Sequence, residues 1–113
     1  MSVTLYHNPK CSTSRKALEL LRERGIEPTV VEYLKTGWDA ETLNRLARGT
    51  GGGLKGLLRK KEAKVAELLA ADVNDSTILA AMIESPVLVE RPIVETPKGA
   101  AIGRPLEAVL DVL

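Results

Sequence analysis

Cysteine is almost missing from this chain of 113 residues, which holds one, Cys11. An internal disulfide is therefore impossible, and no cysteine-based zinc site can be assembled. If Cys11 does redox chemistry, the partner thiol must come from another molecule. Such cysteine usage fits a reduced, cytoplasmic setting. Phenylalanine is absent, and the aromatics are Tyr6, Tyr33 and Trp38, too few to stack the bases of single-stranded nucleic acid. An excess of one charge is lacking too. Sixteen Lys and Arg against 15 Asp and Glu leave a formal net charge of +1, which gives no basic footprint for nucleic acid or an anionic membrane. No apolar run approaches bilayer length, and MSVTLYHNPKC lacks the basic-then-apolar pattern of a signal peptide.

What is present suits one packed domain over residues 1–113, with 44% hydrophobic and 27% charged residues. Val3–Tyr6 is short and β-prone. Asn8-Pro9-Lys10 reads as a turn. From Ser12 the period becomes helical, with Ala17, Leu18 and Leu21 on one stripe and Gly25 as the stop. Thr29–Tyr33 reads as a second strand, so the first third is a β-α-β unit with parallel strands. Residues 39–85 read as a helical insert. Asp39 caps a helix carrying Leu43, Leu46 and Ala47; Gly49 and Gly51–Gly53 break it; Leu54–Arg59 forms a short turn. Glu62–Ala71 is amphipathic, and Asp75 or Ser76 opens a helix that turns Ile78, Leu79, Met82 and Ile83 inward before Pro86. Val87–Val89 and Ile93–Val94 look strand-like. Pro97–Gly99 is a turn, Ala100–Ile102 returns, and Pro105 starts a final helix over Leu106–Leu113. The order predicts an α/β fold with a mixed sheet, β-α-β, helical insert, then β-β-α.

The chemistry gathers at the first strand-to-helix junction. Free N–H groups and the positive end of a helix dipole favour an anion there. A thiolate is such an anion, so the pKa of Cys11 is expected to be depressed. Ser12, Thr13 and Ser14 supply donors, one of them as the cap, and Arg15 and Lys16 add charge. His7, on the approach, can lend positive charge or a hydrogen bond. By residue type alone a single cysteine is also a small core hydrophobe; its position at a helix start favours the nucleophile. Cys-x-x-Cys is absent, and so is the Cys-x5-Arg loop of tyrosine-phosphatase-like enzymes. Arg91 and Arg104 each precede a proline at the end of a β-like segment, a placement that can bring both to one edge of a sheet.

Tyr6-His7-Asn8-Pro9-Lys10-Cys11-Ser12-Thr13-Ser14-Arg15 resembles the active-site segment of the glutathione- and glutaredoxin-dependent arsenate reductases, with its His-x3-Cys-x3-Arg loop. The resemblance continues through Leu57-Leu58-Arg59-Lys60, Arg91-Pro92-Ile93-Val94 and Gly103-Arg104-Pro105, in the same order along nearly the whole chain. It implies a thioredoxin-like fold with a helical insert, and a cis peptide before Pro92. It also implies that Arg59, Arg91 and Arg104 hold the oxyanion, with Ser12, Thr13 and Arg15 lining the anion loop. Ser14 matches the position that hydrogen-bonds the thiolate, and His7 the one that assists its ionisation.

The implied function is reduction of arsenate to arsenite in cytoplasmic arsenical resistance. Glutathione serves as co-substrate and glutaredoxin as partner, with no bound cofactor, metal, nucleic acid or membrane. Arsenate is a tetrahedral dianion near neutral pH, and guanidinium groups offset its repulsion from a thiolate. Two rival readings keep the fold. One is a glutathione-dependent thiol-disulfide reductase; the other, ranked lower, is a redox-linked regulator that binds RNA polymerase.

Overall fold

The computed structural model describes residues 2–113. Four short strands form one mixed sheet in the order β2-β1-β3-β4: β1 is Thr4–Tyr6, β2 Thr29–Val31, β3 Ile93–Thr96 and β4 Gly99–Ile102. β1 and β2 are parallel, joined by helix α1 (Ser12–Glu23), as the β-α-β reading requires. β3 runs antiparallel to β1 and forms a hairpin with β4.

Alternation along the strands divides the core into two layers. Leu5 of β1 and Val94 of β3 face α1, where they pack with Ala17, Leu21, Val109 and Val112. Their neighbours Tyr6 and Ile93 point to the other face and pack with Tyr33, Leu43, Leu46, Leu57, Ile78 and Met82 of the helical block. A one-residue slip of β1 against β3 would exchange the two layers, so the register is fixed by burial on both faces.

The helical block comprises α2 (Tyr33–Thr36), α3 (Ala40–Thr50), α4 (Gly53–Gly56), α5 (Ala63–Ala70) and α6 (Asp75–Glu84). Asp39 caps α3, its carboxylate accepting from Thr42 N at 2.7 Å. Gly51 ends α3 in the left-handed conformation (φ 77°) that a side chain disfavours. Among the described residues no helix is long and apolar enough to cross a membrane.

The structure corrects several local readings. The second strand stops at Val31, and Tyr33 turns into α2, carrying its ring into the core against Trp38 at 5.0 Å between centroids. Helix α6 is capped by Asn74 rather than Asp75 or Ser76, through a bond from Thr77 N at 2.9 Å. Its Ile83 is exposed, because Ile78 and Met82 already fill the face that meets the core. Residues 86–88 form a 3-10 helix where a strand was expected, leaving Val89 a single bridge to Leu58. Pro86 favours such a turn because its fixed φ suits a helix start. The last segment, Leu106–Val112, is also a 3-10 helix.

Candidate active site

Cys11 occupies the N-cap of α1, in extended backbone conformation (φ −93°, ψ 121°). The loop before it is tied by its own polar groups. Asn8 accepts from Lys10 N through its side chain at 3.0 Å and from Cys11 N through its carbonyl at 3.0 Å. Ser14, fully buried on the first turn of α1, takes the N–H of Asn8 on its Oγ at 3.0 Å. The hydroxyl of Ser14 therefore fastens the loop to the helix and does not cap it. The N-cap position belongs to Cys11 itself.

No conventional cap bond closes on the sulfur, yet the surroundings favour its anion. Burial works against ionisation. The N–H of Ser14, the Arg91 guanidinium, the N–H of Thr13 and the Arg104 guanidinium together outweigh it, and the thiol pKa lies below its ordinary value. Arg104 Nη2 stands 3.6 Å from Cys11 Sγ.

The hairpin explains how the two arginines meet. Ile93 opposes Ile102, so the same antiparallel register carried two residues outward sets Arg91 against Arg104. Gly103 N donates to the Pro92 carbonyl at 2.9 Å, and Arg104 Nε donates to the Arg91 carbonyl at 2.8 Å. The Arg91–Pro92 peptide is cis, as the resemblance implied; Arg104–Pro105 is cis as well, which the sequence reading did not anticipate. Gly103 is required by proximity: a Cβ there would lie 2.9 Å from Pro92 Cγ.

Arg59 arrives by a different route. The bridge between Leu58 and Val89 is flanked by Arg59 N donating to the Leu88 carbonyl at 2.7 Å and Glu90 N donating to the Leu57 carbonyl at 2.6 Å. This places the Arg59 segment beside the chain leading to Arg91. Among the described residues, the buried side-chain nitrogens or oxygens without a hydrogen-bond partner are Arg59 Nε and Arg91 Nε. Leaving such donors unmatched is costly unless they serve a ligand.

The remaining expected residues divide. Thr13 and Ser14 act on the sulfur through their backbone N–H groups, which help lower the thiol pKa without a closed cap bond. Ser12 is exposed. Arg15 turns back and donates to the Pro9 carbonyl at 2.8 Å, bracing the loop. His7 is buried, with Nδ1 2.6 Å from Ser14 Oγ. Burial is the main reason its pKa lies below the usual imidazole value, with Arg15 and Arg22 adding to the effect against an opposing pull from Glu32. His7 thus supplies a hydrogen bond to Ser14 and not the positive charge allowed for it. Removing that bond strands a buried imidazole nitrogen, so Ser14→Ala should lower stability by about 1–3 kcal/mol, read from the urea midpoint at neutral pH.

Two further residues belong to the site without having been singled out. Tyr33 projects from α2 into the same field: burial pushes its hydroxyl up to about 12, and Arg91, Cys11, Arg59 and Glu90 all act on it. Glu90 contacts both Arg91 and Arg104. Neither carries a local signal, since a tyrosine in a β-prone run and a glutamate before an arginine are common.

Comparison with known proteins adds independent findings. The model of the ArsC family matches residues 6–112. An arsenate reductase of Rhizobium meliloti (strain 1021) is 44% identical over 115 residues, covering 100% of this chain and 82% of the relative. The uncharacterized protein YfgD of Escherichia coli (strain K12) is 46% identical over 114 residues, covering 98% of this chain and 96% of the relative. A solved arsenate reductase from Vibrio cholerae superposes with a TM-score of 0.92 at 46% identity, over 100% of this chain and 98% of that one. The fold is the α/β, thioredoxin-like architecture of those structures.

Proposed function

The chain belongs to the ArsC family, and on that footing we propose that it is an arsenate reductase whose nucleophile is Cys11. The observation that carries the reading is the arrangement of Arg91 and Arg104 against a thiol at the start of a helix, with its pKa below the ordinary value. Arsenate docks at the N-terminus of α1 under Arg59, Arg91 and Arg104. The unmatched Nε donors of Arg59 and Arg91 are suited to an oxyanion.

The Cys11 thiolate attacks arsenic; an S–As bond forms and an As–O bond breaks, with the oxygen leaving as water after protonation. Guanidinium groups hold the negative charge that collects on the arsenate oxygens during attack. A second cysteine is lacking, so glutathione supplies the next sulfur, displacing another oxygen as water and giving a Cys–S–As–S–glutathione adduct. Glutaredoxin thiolate then attacks the glutathione sulfur. The As–S bond to glutathione breaks, its electron pair stays on arsenic, and As(V) becomes As(III), while the two borrowed thiols leave as a mixed disulfide. Hydrolysis of the remaining S–As bond releases arsenite and restores Cys11. The scheme needs no metal or bound cofactor, and it belongs in the cytoplasm, where glutathione is kept reduced.

The purified protein should form arsenite only when glutathione and glutaredoxin are both supplied. Mass spectrometry after incubation with arsenate and glutathione should find arsenic on Cys11. Glutathionylation of Cys11 without arsenic, together with reduction of a disulfide substrate, would instead support the thiol-disulfide reductase. Retention on RNA polymerase without either turnover would support the regulator.

A further inference from the structure

The two arginines beside Cys11 are held by one carboxylate. Glu90 Oε1 accepts from Arg91 Nη1 at 2.9 Å, lies 3.3 Å from Arg104 Nε, and is 3.4 Å from the backbone N–H of Arg91. The main chain of Glu90 is itself fixed, its N–H donating to the Leu57 carbonyl at 2.6 Å. Arg91 and Glu90 are largely buried at this contact, and Arg104 is the more exposed of the two arginines. We propose that Glu90 is a positioning residue for the reaction, its carboxylate oxygen anchoring Arg91 and Arg104 so that both guanidinium groups face the Cys11 sulfur.

The geometry gives the reason. An arginine side chain has several free torsions, and an isolated guanidinium beside a thiolate would spend much of its time in solvent. The Nε of Arg104 is shared between the Arg91 carbonyl at 2.8 Å and Glu90, which fixes the plane of the guanidinium and leaves Nη2 pointing at the sulfur at 3.6 Å. Arg91 is fixed through Nη1, while its Nε stays without a protein partner. The same carboxylate carries a negative charge on the other side of the Arg104 guanidinium from the Cys11 sulfur. Positioning and charge therefore act on the thiolate with opposite sign. Anchored arginines stabilise it, whereas the carboxylate charge alone destabilises it.

That opposition makes the role testable without arsenate. The inference deepens the reductase reading, but the test reads the thiol directly, so either can fail without the other. Cys11 is the sole cysteine, so the pH dependence of iodoacetamide alkylation reports its pKa alone. Glu90→Ala should raise that pKa and, at a pH below it, slow alkylation by up to about tenfold for a one-unit rise, because the thiolate fraction there falls about tenfold per unit. Glu90→Gln keeps an oxygen acceptor and drops the charge, so its thiol pKa should stay at or below that of the unaltered protein. Glu90→Asp keeps the charge but withdraws the oxygen by one methylene, and serves if the alanine variant does not fold; its pKa should rise. A pKa at or below that of the unaltered protein in the alanine or aspartate variant, or a raised one in the glutamine variant, overturns the proposal.

Discussion

Cys11→Ser should lose arsenate reduction by at least about three orders of magnitude while keeping its fold. The serine hydroxyl is close in size, so the half-buried N-cap of α1 is retained and even improved as a cap. What disappears is the nucleophile. At neutral pH an alkoxide is far less accessible than a thiolate, and the helix start with its two arginines cannot close that gap. It also removes the sulfur to which arsenic and then glutathione become attached, so loss is near complete rather than graded. Arsenite release measured with glutathione and glutaredoxin in excess checks this, with circular dichroism as the control for folding. Turnover retained by the serine variant would remove Cys11 from the mechanism.

Arg104→Ala should lower kcat/KM for arsenate by about a hundredfold or more, the usual scale for deleting one preorganised donor to a developing oxyanion. Arg104→Lys should recover little of it. The guanidinium uses Nε on the Arg91 carbonyl at 2.8 Å and Nη2 toward Cys11 Sγ at 3.6 Å, and one ammonium cannot make both contacts. A second readout is the acid limb of the rate profile. Thiolate is lost as pH falls through the Cys11 pKa, and Arg104 is one of the groups that hold this pKa down. Removing Arg104 should therefore move the acid limb to higher pH. An alanine variant with unchanged kcat/KM and an unmoved limb would place Arg104 outside the site.

The legibility of this molecule was uneven. Strands and helices with a clear period could be read directly: Leu5 and Tyr6 alternate, Ala17 and Leu21 share a helical face, and Asp39 caps the helix it precedes. Short segments of mixed signal could not. Val87–Val89 is apolar and β-branched in part, but the preceding Pro86 starts a 3-10 helix there, and Val89 keeps one bridge. Thr29–Tyr33 lost its last two residues because the Tyr33 ring stacks on Trp38 in the core, and stacking is a tertiary event.

By itself the sequence located the one thiol and the kind of position it holds. One cysteine, placed before a helical period, is the sole thiol of the chain, so the proposed reaction draws its other thiols from other molecules. It also determined the α/β order, because hydrophobic period is a local property. Which basic residues act on the sulfur was decided only by tertiary structure. Arg91 and Arg104 meet through the hairpin register, and the Arg59 segment is brought beside the chain leading to Arg91 by a bridge from Leu58 to Val89, 31 residues apart in chain numbering. Arg15, the nearest arginine in sequence, turns away to Pro9. Charge acts through space, and distance along the chain is a poor guide to it once a chain folds back on itself. The same reason explains Glu90 and the neutral tendency of His7: both follow from what surrounds them, and neither is written in the neighbouring residues.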